Sequence, residues 1–410
     1  MQHRAHVART AAALAAAMGI GRFVYTPILP LMTAQAGISP HTAANLATVN
    51  YVGYLAGALM GTVWPRLARS MTACRVCLIA LIASLAAMPL STNPIEWTAL
   101  RAVAGLTSAL VFVIAVNTML EHLHDHPARL AGWGFGGIGA GIALSAVLVL
   151  AIDDWKAAWW ASAAVSAVLA IGAWSMQHAP ETATVVDDAE QRPPHGAFSM
   201  LLASYTLEGI GYIIAGTFLV AAVAQGTPDW LGGGTWLVVG VATVPSAALW
   251  ATLSSRWSHP GLLVAALCLQ AVGIAVAGLV GGITAALVGA VLFGGTFVGV
   301  STLALAAGRL LRYPRAVALL TAGYSVGQIV GPLVVAPLLH HGFRPALVLG
   351  AVVVLAAALI AGLMRIVGGQ PDRRVRQPEI NGAAGEFIDD SVDSGVLFAT
   401  PPHQRPRPQR

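Results

Sequence analysis

Twelve long apolar stretches follow one another along the chain, separated by short polar breaks. They fall at about residues 8–33, 44–67, 72–90, 96–121, 128–152, 157–177, 197–224, 232–255, 260–281, 284–308, 315–340 and 344–367. Each supplies about the 20 mostly apolar residues that an α-helix needs to cross a bilayer. The stretches are continuously apolar rather than alternating, which argues against strands, and lipid admits only helices or closed barrels. The pattern predicts an all-α membrane protein with twelve transmembrane helices.

The second six stretches look like a copy of the first six, shifted by 190 residues. Gly19-Ile20-Gly21 returns as Gly209-Ile210-Gly211, Gly57-Ala58-Leu59 as Ala247-Ala248-Leu249, Arg66 as Arg256 and Gly105 as Gly295. Further along, the shift drifts by one and pairs Gly132 and Gly136 with Gly323 and Gly327. Two parallel membrane repeats in one chain are the architecture of a secondary transporter that rocks around a central site. The expected organisation is an N-terminal six-helix bundle over 1–177, a polar, Pro-containing linker over 178–196 and a C-terminal bundle over 197–367. Residues 368–410, charged and ending in Pro-Arg repeats, are expected to be a disordered tail.

Composition narrows the class further. With 57% hydrophobic and 10% charged residues, neither half suits a soluble domain. If the N-terminus is cytoplasmic, eighteen of the 22 Lys and Arg residues lie inside. They are Arg4, Arg9, Arg66, Arg69, Arg75, Arg129, Arg192, Arg256, Arg309, Arg312, Arg315 and the seven arginines from Arg365 onward. Only Lys156 and Arg344 fall outside, and Arg22 and Arg101 lie within spans. This asymmetry follows the positive-inside rule and places both termini in the cytoplasm. It accounts for the basic charge without any nucleic acid, since an Arg-rich flank touches anionic lipid. Arg4 and Arg9 before an Ala-rich run resemble a signal peptide, but cleavage near Ala17 would cut into the repeat element at 19–21. The first stretch is therefore expected to be a retained helix. Cys74, Cys77 and Cys268 are too few for a disulfide framework, and the C-x-x-C pair is expected to be two small residues in a reducing compartment.

Charges inside spans carry the strongest functional signal, because each costs about 2.5–3.5 kcal/mol or more at the bilayer centre. The chain has three: Arg22, Arg101 and Glu208. Arg22 and Glu208 lie about midway along the first and seventh spans, which are repeat partners, so both are expected to line a central cavity. A carboxylate at that depth can exchange a proton with a substrate or with water. The competing reading is a purely structural Arg–Glu pair, or separate snorkelling charges. Aromatic and amide groups share faces with these charges: Tyr25 with Arg22, Tyr205 and Tyr212 with Glu208, Asn50 with Tyr54, and Tyr324 with Gln328, while Asn117 lies deep in the fourth span. Such groups suit a watery cavity for a small polar or amphipathic molecule, or individually a helix–helix hydrogen bond. Small residues recur at every fourth position in Gly53, Gly57 and Gly61, in Gly132 and Gly136, and in Gly323, Gly327 and Gly331. These stripes predict close, smooth contacts between the two bundles, with static packing as the alternative. Pro27, Pro30, Pro245, Pro332 and Pro337 mark bending points. His122, His124 and His126 beside Asp125 match no closed metal site and are expected in a solvated loop, so no metal and no cofactor is expected.

The fourth span opens Arg101-Ala-Val-Ala-Gly105, which is similar to the R-x-x-x-G motif of the major facilitator superfamily. The loop from Gly57 through Arg66 and Arg69 resembles that superfamily's Gly/Asp/Arg motif with the acid missing. The Gly-rich fifth span resembles its antiporter motif without the Gly-Pro. More specifically, Gly19-Ile-Gly-Arg22-Phe-Val-Tyr25-Thr-Pro27, Asn50-Tyr-Val-Gly53-Tyr54 and Thr321-Ala-Gly-Tyr-Ser-Val-Gly-Gln328 resemble the YbfB/YjiJ branch. The resemblance implies a twelve-helix major facilitator fold in a bacterial inner membrane, with Arg22 at the position of the branch's first-span arginine.

The leading expectation is a monomeric, proton-coupled secondary active transporter of a small molecule. No Walker P-loop is present to couple transport to ATP. A membrane-embedded enzyme is the alternative, but its Ser/His, paired-Asp or metal constellation is not evident within the spans. A non-transporting sensor of the same fold is the third, and it would be expected to carry a large soluble appendage.

Overall fold

A computed structural model of the chain describes residues 2–123, 126–177, 195–225, 229–313 and 315–367. The expected tail, all but the end of the expected linker, and His124 and Asp125 lie outside the described residues. Twelve helices are long and apolar enough to span a membrane. In chain order they are α1 (His3–Ala36), α2 (Pro40–Val63), α3 (Met71–Leu90), α4 (Pro94–His122), α5 (Ala128–Ala151) and α6 (Trp155–Ala173). The second half holds α7 (His195–Ala224), α8 (Trp230–Leu253), α9 (His259–Leu279), α10 (Gly282–Leu310), α11 (Ala316–His340) and α12 (Arg344–Ile366). They match the twelve apolar stretches one for one.

The helix starts follow from local chemistry. Ser39 caps α2 by accepting from Thr42 N at 3.1 Å, with Pro40 at the first helical position. Asn93 and Pro94 open α4 in the same way, and the Asp154 carboxylate accepts from Ala157 N at 2.7 Å to open α6. In each case the side chain takes an N–H that the helix itself cannot satisfy, and proline sits where no N–H is needed. Gly37, at φ 64°, ends α1 in the left-handed conformation that glycine adopts without steric cost.

The first helix of each half is its most enclosed: 94% of the apolar window of α1 and 83% of that of α7 are buried inside the protein. These two helices therefore position any central site. Around them the halves are built alike. In the first half α2 packs on α4 and α1 on α5; in the second, α8 packs on α10 and α7 on α11. The halves meet where α5 crosses α8, where α2 meets α11, and where α1 meets α7.

The glycine stripes sort differently from expectation. Gly132 and Gly136 do face the other half: a Cβ on Gly132 would lie 2.6 Å from Ala248 Cα, and one on Gly136 2.6 Å from Val244 O, both on α8. Gly53, Gly57 and Gly61 instead face Ala102, Leu106 and Val113 of α4, within their own half. Gly323, Gly327 and Gly331 face Leu202, Thr206, Ile210 and Ile213 of α7, again within their own half. A small-xxx-small stripe permits close approach but does not choose the partner. On α5 a second pair of glycines packs within its own half. Gly137 and Gly141 pack on Ala11, Ala15 and Gly19 of α1, as Gly327 and Gly331 pack on α7. A helix carrying glycines at 132, 136, 137 and 141 thus bears two such stripes on different faces.

Candidate functional site

The centre of the molecule forms where α1 departs from regular helix. Ala15–Ile20 is a π-helical turn, with Gly21 N donating to Ala16 O at 2.9 Å and Phe23 N to Met18 O at 3.3 Å. Pro27 has no N–H to offer Phe23 O, which accepts from Thr26 N at 3.1 Å instead. That leaves Arg22 O without its regular helical donor. Arg101 of α4 supplies one: its Nη2 donates to Arg22 O at 3.2 Å and its Nη1 to Gly21 O at 3.4 Å. The same guanidinium lies 5.1 Å from the centre of the Tyr25 ring, and Asn50 Nδ2 donates to Arg101 O at 2.9 Å. Tyr25 is itself tied to Ala43 O at 3.0 Å. Arg101, Asn50 and Tyr25 thus hold the irregular turn in place. Irregular helix of this kind concentrates at functional sites.

The turn presents Arg22 to the other half. Its Nη2 donates to Gln328 Oε1 of α11 at 2.6 Å, and Gln328 Nε2 donates to the Tyr212 hydroxyl of α7 at 2.9 Å. The guanidinium carbon sits 4.0 Å from the centre of the Tyr54 ring and 5.1 Å from that of Tyr51. Tyr212 stacks on Tyr324 at 5.3 Å and on Phe297 at 5.1 Å, and Tyr324 stacks on Tyr205 at 4.4 Å. Around this centre the halves are pinned by Thr26 Oγ1 donating to Gly216 O at 2.6 Å and by a 2.9 Å bond between Tyr51 and Thr217. Arg22 is 3% exposed, and Gln328 and Tyr212 are equally enclosed.

Glu208 lies on α7 within electrostatic reach of Tyr205, Tyr212 and Tyr324 of this centre. It is 0% exposed, and neither carboxyl oxygen completes a hydrogen bond. Its polar neighbour is Gln270 of α9, in the same half. That pair interacts electrostatically but falls short of hydrogen-bond geometry, for both Gln270 amide atoms also lack partners. Arg22 and Glu208 form no ion pair in this structure, and both interact electrostatically with Tyr212.

Asn117 is away from the centre. It lines a cavity of about 400 Å³ near the C-terminal end of α4, with Gly61, Thr62, Pro65, Ala68, Arg69 and Glu121. There Arg69 Nε approaches Glu121 Oε1 at 3.6 Å. The loop that lacks its expected acid thus meets one at the end of α4. His122 and His126 are half-buried rather than solvated: their rings lie 3.9 Å from that of His6 and 4.1 Å from that of His3. Gln270, Tyr51, Thr26 and Thr217 escaped the sequence reading. Gln270 carried a signal, as an amide within an apolar span; the threonines carried none, because Thr hydroxyls bonded to their own helix are common in spans.

A buried, irregular turn between two six-helix halves, lined by one guanidinium and a stack of tyrosines, defines a transporter of the major facilitator fold. The family described as "Uncharacterised MFS-type transporter YbfB" matches residues 14–362, and the chain belongs to that family. Among solved structures, the crystal structure of the nucleoside transporter NupG is similar over 87% of this chain and 99% of that one, with a TM-score of 0.65 and 12% identity, which speaks for the fold alone. No curated protein matches the sequence.

Proposed function

We propose that this transporter couples the movement of a small molecule to protons and alternates access around the Arg22–Gln328–Tyr212 centre. Substrate binds between the halves, where Arg22 and the tyrosines meet, and Glu208 carries the coupling proton. The observation that carries this reading is Glu208 itself. It is the one acid more than a helical turn from any end of a described span, it is fully enclosed, and no cation pairs with it. A buried carboxyl left without a counter-ion is expensive to keep as a purely structural group, which favours a role in which its proton comes and goes. The halves touch through reversible hydrogen bonds at α1–α11 and α1–α7 and through glycine-lined backbone contact at α5–α8, surfaces that can part and re-form.

The arginine asymmetry supports a bacterial inner membrane with both termini in the cytoplasm. Labelling of single cysteines at 41 and 229 from outside is expected, and labelling from the cytoplasmic side alone would reverse the topology. For transport, purified protein in liposomes is screened for uptake of small molecules with and without an imposed pH gradient. Accumulation that a protonophore abolishes supports the reading. Uptake that never responds to the gradient contradicts proton coupling.

A further inference from the structure

Among its described residues, the first half carries two buried positive charges and no buried acid. Arg101 spends both terminal nitrogens on backbone carbonyls of α1, so it serves as scaffold and adds positive potential. Arg22 is different. One terminal nitrogen donates to a neutral amide oxygen of the other half rather than to backbone, the Tyr54 side chain interacts with the guanidinium, the faces of Tyr54 and Tyr51 lie against it, and Nε, as in Arg101, has no partner. Glu208, the one acid deep in a described span, lies in the second half beside Gln270 and compensates neither arginine. An unpaired guanidinium in a dry interior is costly unless a counter-charge arrives.

We infer that the substrate is a small organic monoanion with a planar carboxylate and a flat apolar body, and that Gln328 Oε1 holds the place of one carboxylate oxygen in the structure described. This assignment rests on the transport reading above and specifies its cargo. A guanidinium fork recognises a carboxylate by two parallel donors; here Gln328 occupies one arm while Nε remains open. Arg101 is committed to the backbone, so one fork is available, which suits a single anionic group rather than a multiply charged one. Tyr212, Tyr324 and Phe297 supply stacked aromatic faces for a flat body. As the halves part, Gln328 on α11 withdraws from Arg22 on α1, and the freed fork takes the anion in its place. Neutral molecules leave the charge unpaid, and cations are repelled by it.

The test uses the purified full-length protein in detergent and three probes of one shape: benzoate, benzamide and benzylamine. Binding is measured by equilibrium dialysis and by melting temperature, with no gradient present. Benzoate is expected to bind at least about tenfold more tightly than the other two, the scale of a lost charge-assisted hydrogen bond. Arg22→Gln is expected to erase that preference. Gln328→Glu places a fixed anion against Arg22, so it is expected to keep the wild-type melting behaviour while losing benzoate binding, which guards against an unfolded Arg22 variant. Binding is read here with no gradient imposed, so this result and the proton-coupling result fail independently. Equal binding of all three probes, binding of none, or benzoate binding that survives in Gln328→Glu would each overturn the assignment.

Discussion

Arg22 and Glu208 sit at similar depth in the first helix of each half, yet they belong to different surfaces. Arg22 reaches across to Gln328 and lies against two tyrosine rings, on a surface both halves share. Glu208 faces Gln270 of its own half and completes no bond. Repeat symmetry explains the difference: at a shift of 190 the counterpart of Arg22 is Tyr212, and that of Glu208 is Met18. The two charges were never equivalent positions. Tyr212 links them, because it accepts from Gln328 and stands one helical turn beyond Glu208 on α7. On this account, proton and substrate communicate through one turn of α7 rather than through an ion pair.

The largest expected effect is at the shared surface. Arg22→Ala should reduce both accumulation and exchange to background in liposomes, because it removes the cross-half bond and the charge together; retained exchange would move the substrate elsewhere. Next come two glycines that separate shared from internal surfaces. Gly136→Leu meets Val244 O of α8 and should stop transport while the protein still inserts and melts near the wild-type temperature. Gly327→Leu meets Thr206 O inside the second half, and should instead lower stability by about 1–3 kcal/mol, the usual cost of overpacking. Identical behaviour of the two in melting and flux assays would erase the distinction. A smaller effect is expected for Tyr212→Phe, which removes one hydrogen-bond acceptor from Gln328 and should weaken substrate binding by about three- to tenfold, at about 0.5–1.5 kcal/mol. The smallest is Gln270→Leu, which should shift the pH profile of transport with little change in substrate affinity at a fixed pH.

The fold was legible because a span must satisfy its own backbone in lipid, and continuous apolar runs record that requirement directly. The twelve helices and the two-half layout follow from it. The site was legible in part. Arg22, Gln328, Tyr54, Tyr212 and Tyr324 gather at one centre, as residues too polar for lipid should. What stayed hidden is partner choice. Gly57 and Gly327 announce close contact but not whether it lies within a half or between halves. Asn117 announces a polar neighbour but not that it would be a cavity near the end of α4. Glu208 announces an enclosed charge, but only the rotation of α7 decides that it turns to Gln270. Periodicity fixes faces relative to one another along one helix; it does not say which helix each face will meet.

The central claim, that Glu208 carries the proton and Arg22 the cargo, is tested most directly by Glu208→Gln in liposomes holding a transported substrate on both sides. The account predicts that one-for-one exchange persists while accumulation driven by a pH gradient disappears. Gradient-driven accumulation at the wild-type level in that variant would contradict it.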